Sequence, residues 1–356
     1  MVHNFSAGPA ILPKEVFQEA SQAVIDFEGL GLSIMEISHR SKQFVAVLEE
    51  AESLMRSLLN VPENYAILFL TGGASSQFYF SAMNLLNDGE TAAYLDTGAW
   101  SKKAIKEAKL FGNVEVVASS GDKNYTYIPK GYQLPDQAKY FHITSNNTIF
   151  GTQLQDMPNV QCPLVADMSS DILSRPLYIS KFDLIYAGAQ KNMGPAGVTL
   201  AIVNKDALGK VERTIPTMLD YRTHIEKGSS FNTPPVFPIY VSMLTMRWVQ
   251  ANGGVEAMQA KNKAKADLLY GEMDRNSCFS GTAATEDRSL MNATFILNEG
   301  MGTDADFLSL CEEAKISAIK GHRSVGGFRA SMYNAMDIES VQVLVDVMKT
   351  FEVKFG

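Results

Sequence analysis

The chain has 356 residues, 46% of them hydrophobic and 20% charged, which is ordinary for a soluble globular protein and long enough for two domains. Its formal net charge of −8 argues against nucleic acid or an anionic membrane as partner, so any anionic ligand must meet local basic groups. The cysteines Cys162, Cys278 and Cys311 lack CxxC spacing, which argues against a disulfide framework or a metal site and for a reducing, cytoplasmic setting.

The opening residues, MVHNFSAGPAILPKEV, lack a basic segment followed by an apolar stretch, and no uncharged apolar run approaches membrane-spanning length, so neither export signal nor membrane anchor is expected. The segment ahead of Pro13 is too short to fold alone and is expected to pack on the small domain or across a partner subunit. From Tyr65 to about Val203, short apolar runs (AILFL, TAAYLD, VEVVA, KYFHIT, CPLVAD, FDLIYA, VTLAIV) alternate with helical patterns such as SSQFYFSAMNLL and SKKAIKEAKLFG. This alternation predicts a mainly parallel sheet covered on both faces, with ligands gathering at the carboxyl ends of its strands. After roughly Asn252 the pattern changes to a polar helix, VEAMQAKNKAKADLLYGEM, followed by mixed strands and helices. The last helix is expected to bury Ile338, Val341, Val345 and Met348, with Asp337 capping its start. The reading is α/β: a large domain over residues 1–254 and a smaller α+β domain over 255–356.

Chemistry-bearing residues recur at the predicted strand ends. In LFLTGGASSQF, small residues between strand and helix put free N–H groups at a helix start, which suits a phosphate. Trp100 follows the next strand, where an indole can face an aromatic ring. Thr148, Asp167 and Lys191 follow later strands. Alone, each reads as a turn, core or capping residue, and Lys191 in AGAQKNMGPAG as a solvated turn lysine. Together they match pyridoxal 5′-phosphate, which needs an amine for its aldehyde, a carboxylate for its ring nitrogen, a stacking surface and a phosphate cradle.

With these residues goes a set of ordered segments: FSAGPAILP, MEISHRSKQF, FLTGGASSQF, ADMSSDILSRP, AGAQKNMGPAG, FNTPP and GHRSVGGFRASMYNAM. By them the chain resembles the phosphoserine aminotransferase family, within the class V, pyridoxal-phosphate-dependent aminotransferases of type I fold. The resemblance implies that Lys191 holds the cofactor, Asp167 pairs with its ring nitrogen and Trp100 stacks on it. It implies further contacts from Thr148 and Gln190, and a phosphate cradle at Gly73, Ala74 and Ser75. Asn232 and Thr233 would reach the cofactor phosphate from a neighbouring subunit, making a homodimer with shared active sites. For the substrate it implies Arg329 at the α-carboxylate and His39, Arg40, His322 and Arg323 at the phosphate. Some members carry arginine where this chain has Ser75, so phosphate recognition must lean more on the remaining basic groups.

The implied reaction exchanges an amino group between L-glutamate and 3-phosphooxypyruvate, giving 2-oxoglutarate and O-phospho-L-serine, as in serine biosynthesis. Some bacterial relatives also act on 4-phosphooxy-L-threonine in pyridoxine biosynthesis. A cysteine desulfurase of the same class would need a loop cysteine, whereas Cys311 falls in the amphipathic pattern DADFLSLCEEAK. Aminotransferases acting on unphosphorylated serine or alanine, and a cofactor-fold protein kept as a binding module, are the other readings.

Overall fold

A computed structural model describes residues 1–356. Seven strands form the central sheet: β1 (Tyr65–Leu70), β2 (Thr91–Asp96), β3 (Asn113–Ser119), β4 (Ala138–Thr144), β5 (Leu164–Asp167), β6 (Phe182–Gly188) and β7 (Thr199–Asn204). Their spatial order is β1–β7–β6–β5–β4–β2–β3. All neighbours pair in parallel except β7, which runs antiparallel to both β1 and β6. The reason is the length of the β6–β7 connection. A parallel return needs a crossover of about a dozen residues or more, and the chain between Gly188 and Thr199 is shorter and carries no helix. The reversal leaves the other six strands ending on one side of the sheet and puts Lys191 in the tight β6–β7 connection at that side.

Strand alternation loads both faces with apolar side chains. Ile67, Phe69, Ala93 and Leu95 enter one core, while Leu68, Leu70, Ala92 and Tyr94 enter the other. The nine helices are α1 (Lys14–Ile25), α2 (Lys42–Leu59), α3 (Gly73–Leu85), α4 (Ala99–Ala108), α5 (Tyr221–Glu226), α6 (Val236–Ala251), α7 (Gly254–Arg275), α8 (Asp304–Glu313) and α9 (Ile338–Phe355). α1, α2 and α6 cover the first face; α3, α4 and α5 cover the second. No helix is long and apolar enough to cross a membrane.

A third core lies in the C-terminal part, around the antiparallel sheet of β8 (Phe279–Gly281), β9 (Asn292–Leu297) and β10 (Phe328–Ser331). Phe279, Phe295, Phe307, Phe328 and Phe351 pack there edge-on or tilted, each burial contributing roughly 1.5–3 kcal/mol. The chain start joins this core: Phe5 is fully buried in it, and His3–Asn4 pairs in parallel with Ile316–Ser317. In α9 the buried stripe is Val341, Leu344, Val345, Met348 and Phe351, whereas Ile338 in the first turn is 42% exposed. Asp337 occupies the N-cap position but makes no side-chain capping bond. Two buried polar side chains tie α7 to the segment just beyond β10: Lys265 donates to the carbonyls of Met332 and Tyr333 at 2.9 and 2.7 Å, and Asn262 Nδ2 donates to Asn334 Oδ1 at 2.8 Å.

Candidate active site

The ends of β4, β5 and β6 meet at a cavity of about 300 Å³, within the usual range for a small-ligand site. Asp167 closes β5, in register with Thr144 on one side and Tyr186 on the other. Its Oδ1 accepts from the Ser169 N–H at 3.0 Å and from the Ser169 hydroxyl at 2.6 Å, and its Oδ2 receives no hydrogen bond from the protein. Burial raises the Asp167 pKa, against the opposing pull of Ser169 and the Lys191 charge. A buried carboxylate with one oxygen unengaged calls for a positively charged N–H partner.

Lys191 follows β6. Its Nζ donates to Thr148 Oγ1 at 2.9 Å, and burial pulls its pKa down to about 8 against the opposing charge of Asp167. The approach of the chain start is close: Gly8, at φ +134°, would bring an added Cβ to within 3.2 Å of Lys191 Cγ, and Ala10 N–H donates to the Gln190 carbonyl at 3.0 Å. Across the cavity, the turn after β1 passes through Gly72 and Gly73 at φ +99° and +68° into α3, a backbone that glycine adopts freely. Gly73, Ala74 and Ser75 line the cavity, with first-turn N–H groups that the helix itself leaves unpaired. Trp100, on the first turn of α4, also lines it, and its indole N–H is buried without a partner. On β10, Arg329 reaches in with Nη1 3.4 Å from the Thr148 carbonyl, while its Nε has no partner; burial lowers its pKa. His322 lines the mouth, its Nδ1 2.6 Å from Ser324 Oγ.

Thus Gly73, Ala74, Ser75, Trp100, Thr148, Asp167, Gln190, Lys191, His322 and Arg329 surround one cavity. The remaining expected residues do not line it. Arg323 is exposed in the turn after His322. His39 and Arg40 lie in the turn before α2, fixed by Ser41, whose hydroxyl accepts from the Phe44 N–H at 3.3 Å. Asn232 borders a separate hollow with Gly72 and Ser76, and neighbouring Thr233 is exposed.

An α/β sheet with a single lysine, a carboxylate and a helix start at one set of strand ends is shared by known proteins. The class V aminotransferase model matches residues 2–344. The chain belongs to that family. A phosphoserine aminotransferase of Flavobacterium johnsoniae is 61% identical over 353 residues, covering 99% of each chain. The solved phosphoserine aminotransferase of Bacillus circulans subsp. alkalophilus superposes with a TM-score of 0.95 at 44% identity, covering 100% of this chain and 99% of that one. The pyridoxal-phosphate-bound enzyme of Trichomonas vaginalis does so with 0.93 at 40%, covering 98% and 100%.

Several lining residues escaped sequence reasoning: Ala7, Gly8, Thr144, Asn146, Ser169 and Ser170. Ser169 orients Asp167, and Ser170 holds Asn146 through a 2.8 Å bond from its Nδ2. The segments FSAGPAILP and ADMSSDILSRP contain four of them, so their motif character was the available signal. Thr144 ends the run KYFHIT, so its position at a strand end was the signal; its hydroxyl is buried and unpartnered.

Proposed function

We propose that the chain is a pyridoxal-phosphate-dependent phosphoserine aminotransferase, exchanging the amino group between L-glutamate with 3-phosphooxypyruvate and 2-oxoglutarate with O-phospho-L-serine. The observation that carries this reading is one cavity holding a buried amine at Lys191, a buried carboxylate with a free oxygen at Asp167 and the bare start of α3, in a chain so similar to enzymes of that name. The donor set suits pyridoxal 5′-phosphate. Asp167 Oδ2 would hold the protonated ring nitrogen, Trp100 its face, Gly73 to Ser75 its phosphate, Lys191 its aldehyde carbon, and Thr148 and Gln190 its polar edge.

When bound, the cofactor takes up the amino group and withdraws electrons from the substrate α-carbon. The chain's own residues do the rest. Lys191 Nζ, with its pKa lowered to about 8, is suited to remove the Cα proton near neutral pH. Arg329 pairs with the α-carboxylate, and its planar fork fixes the carboxylate's orientation. His322, Arg323, His39 and Arg40 bind the substrate phosphate.

Part of this set comes from a second copy in a homodimer. Asn232, Thr233, His39 and Arg40 do not line their own chain's cavity, and beside them Leu32, Met35 and Phe231 are exposed at 48%, 60% and 37%, an apolar surface suited to burial against a partner. The chain divides near residue 254 into a cofactor-binding domain and a smaller domain that brings Arg329, with residues 1–13 packing on the latter. A reducing cytoplasm suits its three free cysteines. None of the cysteines lines the cavity, and Cys311 is buried in α8 with its thiol pushed up to about 12, which disfavours desulfurase chemistry.

A single half-reaction tests the function. Cofactor-loaded protein is mixed with phosphoserine, glutamate, phosphothreonine, 4-phosphooxy-L-threonine, serine or alanine, and the cofactor absorbance is followed. Phosphoserine and glutamate are expected to change it fastest; an equal response to serine or alanine would overturn the substrate assignment.

A further inference from the structure

Positive charge collects at one rim of the cavity without acidic company. Arg329 and His322 line that rim, and Arg323 follows in the same turn. Lys103 on α4 does not itself line the cavity but is exposed beside this rim, next to Trp100 and near His322. Trp100 and Lys103 are three residues apart and share a helix face, and Lys103 Nζ lies 4.4 Å from the centroid of the Trp100 ring. It is close enough to His322 to depress the imidazole pKa, after burial and together with Arg329 and Arg323, with no carboxylate acting the other way. No ion pair engages Lys103, whereas carboxylates hold cations elsewhere in the chain, Asp88 at Arg213 and Asp274 at Arg288. Adjacent Lys102 points elsewhere, with its Nζ 4.9 Å from the Tyr125 ring centroid and its charge supported first by the Tyr125 hydroxyl and then by Asp96.

Lys103 is exposed, so its ammonium is open to a ligand entering the cavity mouth. Helical side chains lean toward the amino end, so the Lys103 ammonium lies over the first turn of α4, where the helix dipole favours anions and disfavours cations. An anion in the cavity mouth would meet both that helix start and the ammonium. On the α3 side the corresponding cation is missing, because Ser75 is neutral.

We infer that Lys103 is a specificity-determining residue that recognises the phosphate monoester of the substrate. The inference rests on the phosphoserine reading above and adds a residue to it. An ammonium on a flexible stem suits this task as a mobile point charge, complementing the fixed forks of the arginines.

The test uses the cofactor-loaded protein and two ligands that cannot donate an amino group. 3-Phosphoglycerate carries a carboxylate and a phosphate; glutarate carries two carboxylates. Calorimetric titration is expected to show Lys103→Gln weakening 3-phosphoglycerate by about three- to tenfold, with glutarate unchanged. Lys103→Arg is expected to retain most of the affinity, and Lys106→Gln, one turn further along α4, all of it. In turnover, Lys103→Gln should raise KM for phosphoserine and leave kcat in place. Equal weakening of both ligands, no weakening, or a change confined to the cofactor dissociation constant would overturn the inference, the last by showing that Lys103 serves only to support Trp100. Wild-type protein unresponsive to phosphoserine would overturn the substrate reading and this inference with it. A responsive wild type beside an unaffected Lys103→Gln would overturn this inference alone.

Discussion

In the role proposed for it, Lys191, which is 9% exposed, faces two demands: its amine must be neutral to act as nucleophile or base, and it must be available near neutral pH. Burial supplies both, lowering its pKa to about 8 although Asp167 pulls the other way. A lysine of the unfolded chain titrates near ~10.4. As pH rises, the folded state therefore loses this proton first, so the stability contribution of Lys191 is complete above the unfolded value and is lost as pH falls through about 8. Covalent uptake of pyridoxal phosphate by cofactor-free protein should accelerate with pH along a curve centred at about 8; a midpoint near ~10 would show an exposed, unshifted amine. Lys191→Ala should abolish the borohydride-reducible adduct and lower turnover by at least about 10²- to 10⁴-fold, and peptide mass spectrometry should find the wild-type adduct on Lys191 and on no other lysine. Asp167→Asn should keep the cofactor but slow Cα–H cleavage, because an amide cannot stabilise a protonated ring nitrogen as a carboxylate does. The diagnostic is a Cα deuterium isotope effect that grows in the variant; an unchanged rate and spectrum would remove Asp167 from the chemistry.

Among the elements, those with short continuous apolar runs are legible in the sequence, and so are the residues that end them. Asp167 ends β5 and Lys191 follows β6, and the strands are indeed neighbours. The reversed direction of β7 was not read from its composition, because VTLAIV is equally apolar in either direction and only the short β6–β7 connection decides it. The outward position of Ile338 was missed for a related reason: helical periodicity identifies a stripe but not where the first turn leaves the core. Contacts made by loops distant in sequence, such as Gly8 on Lys191, carry no periodic signal at all. The turn holding His322 is of this kind and has its own constraint. Val325 and Gly326 N–H groups both donate to the His322 carbonyl, at 2.9 and 2.8 Å, and Gly321 N–H donates to Gly327 O at 2.8 Å. An added Cβ at Gly321 would collide with the Gly326 carbonyl and lie 2.8 Å from that of Gly327. Gly321→Ala should therefore displace His322 and Arg323 while leaving β5 and β6 alone. The expected result is a loss of about ten- to a hundredfold in kcat/KM for phosphoserine with unchanged cofactor affinity; weakened cofactor retention would mean that the turn supports the whole cavity instead.

For the whole molecule, the question is why a protein of net charge −8 should bind substrates that are themselves anions. The answer proposed is local concentration of cations, and the cations proposed for it do not all lie at one place in one chain. Arg329 and His322 line the cavity, whereas His39 and Arg40 lie ahead of α2 and outside it. A two-fold dimer can repair this, since in an isologous interface each copy lends the same surface to the other. If Arg40 acts in its partner's site, the defects Lys191→Ala and Arg40→Ala fall in the same site of a mixed dimer and leave the second site intact. Two nearly inactive variants, co-expressed and randomly assorted, should then recover about a quarter of wild-type activity toward phosphoserine, because half of the dimers are mixed and each of those has one complete site. Sedimentation must show a dimer in every sample, so that recovery is not confused with assembly. If Arg40 instead serves its own chain, every mixed dimer carries one defect per site and no activity beyond that of the separate variants returns. Repeating the mixture with Thr233→Ala in place of Arg40→Ala, and measuring cofactor retention rather than turnover, separates a shared cofactor cradle from shared substrate recognition.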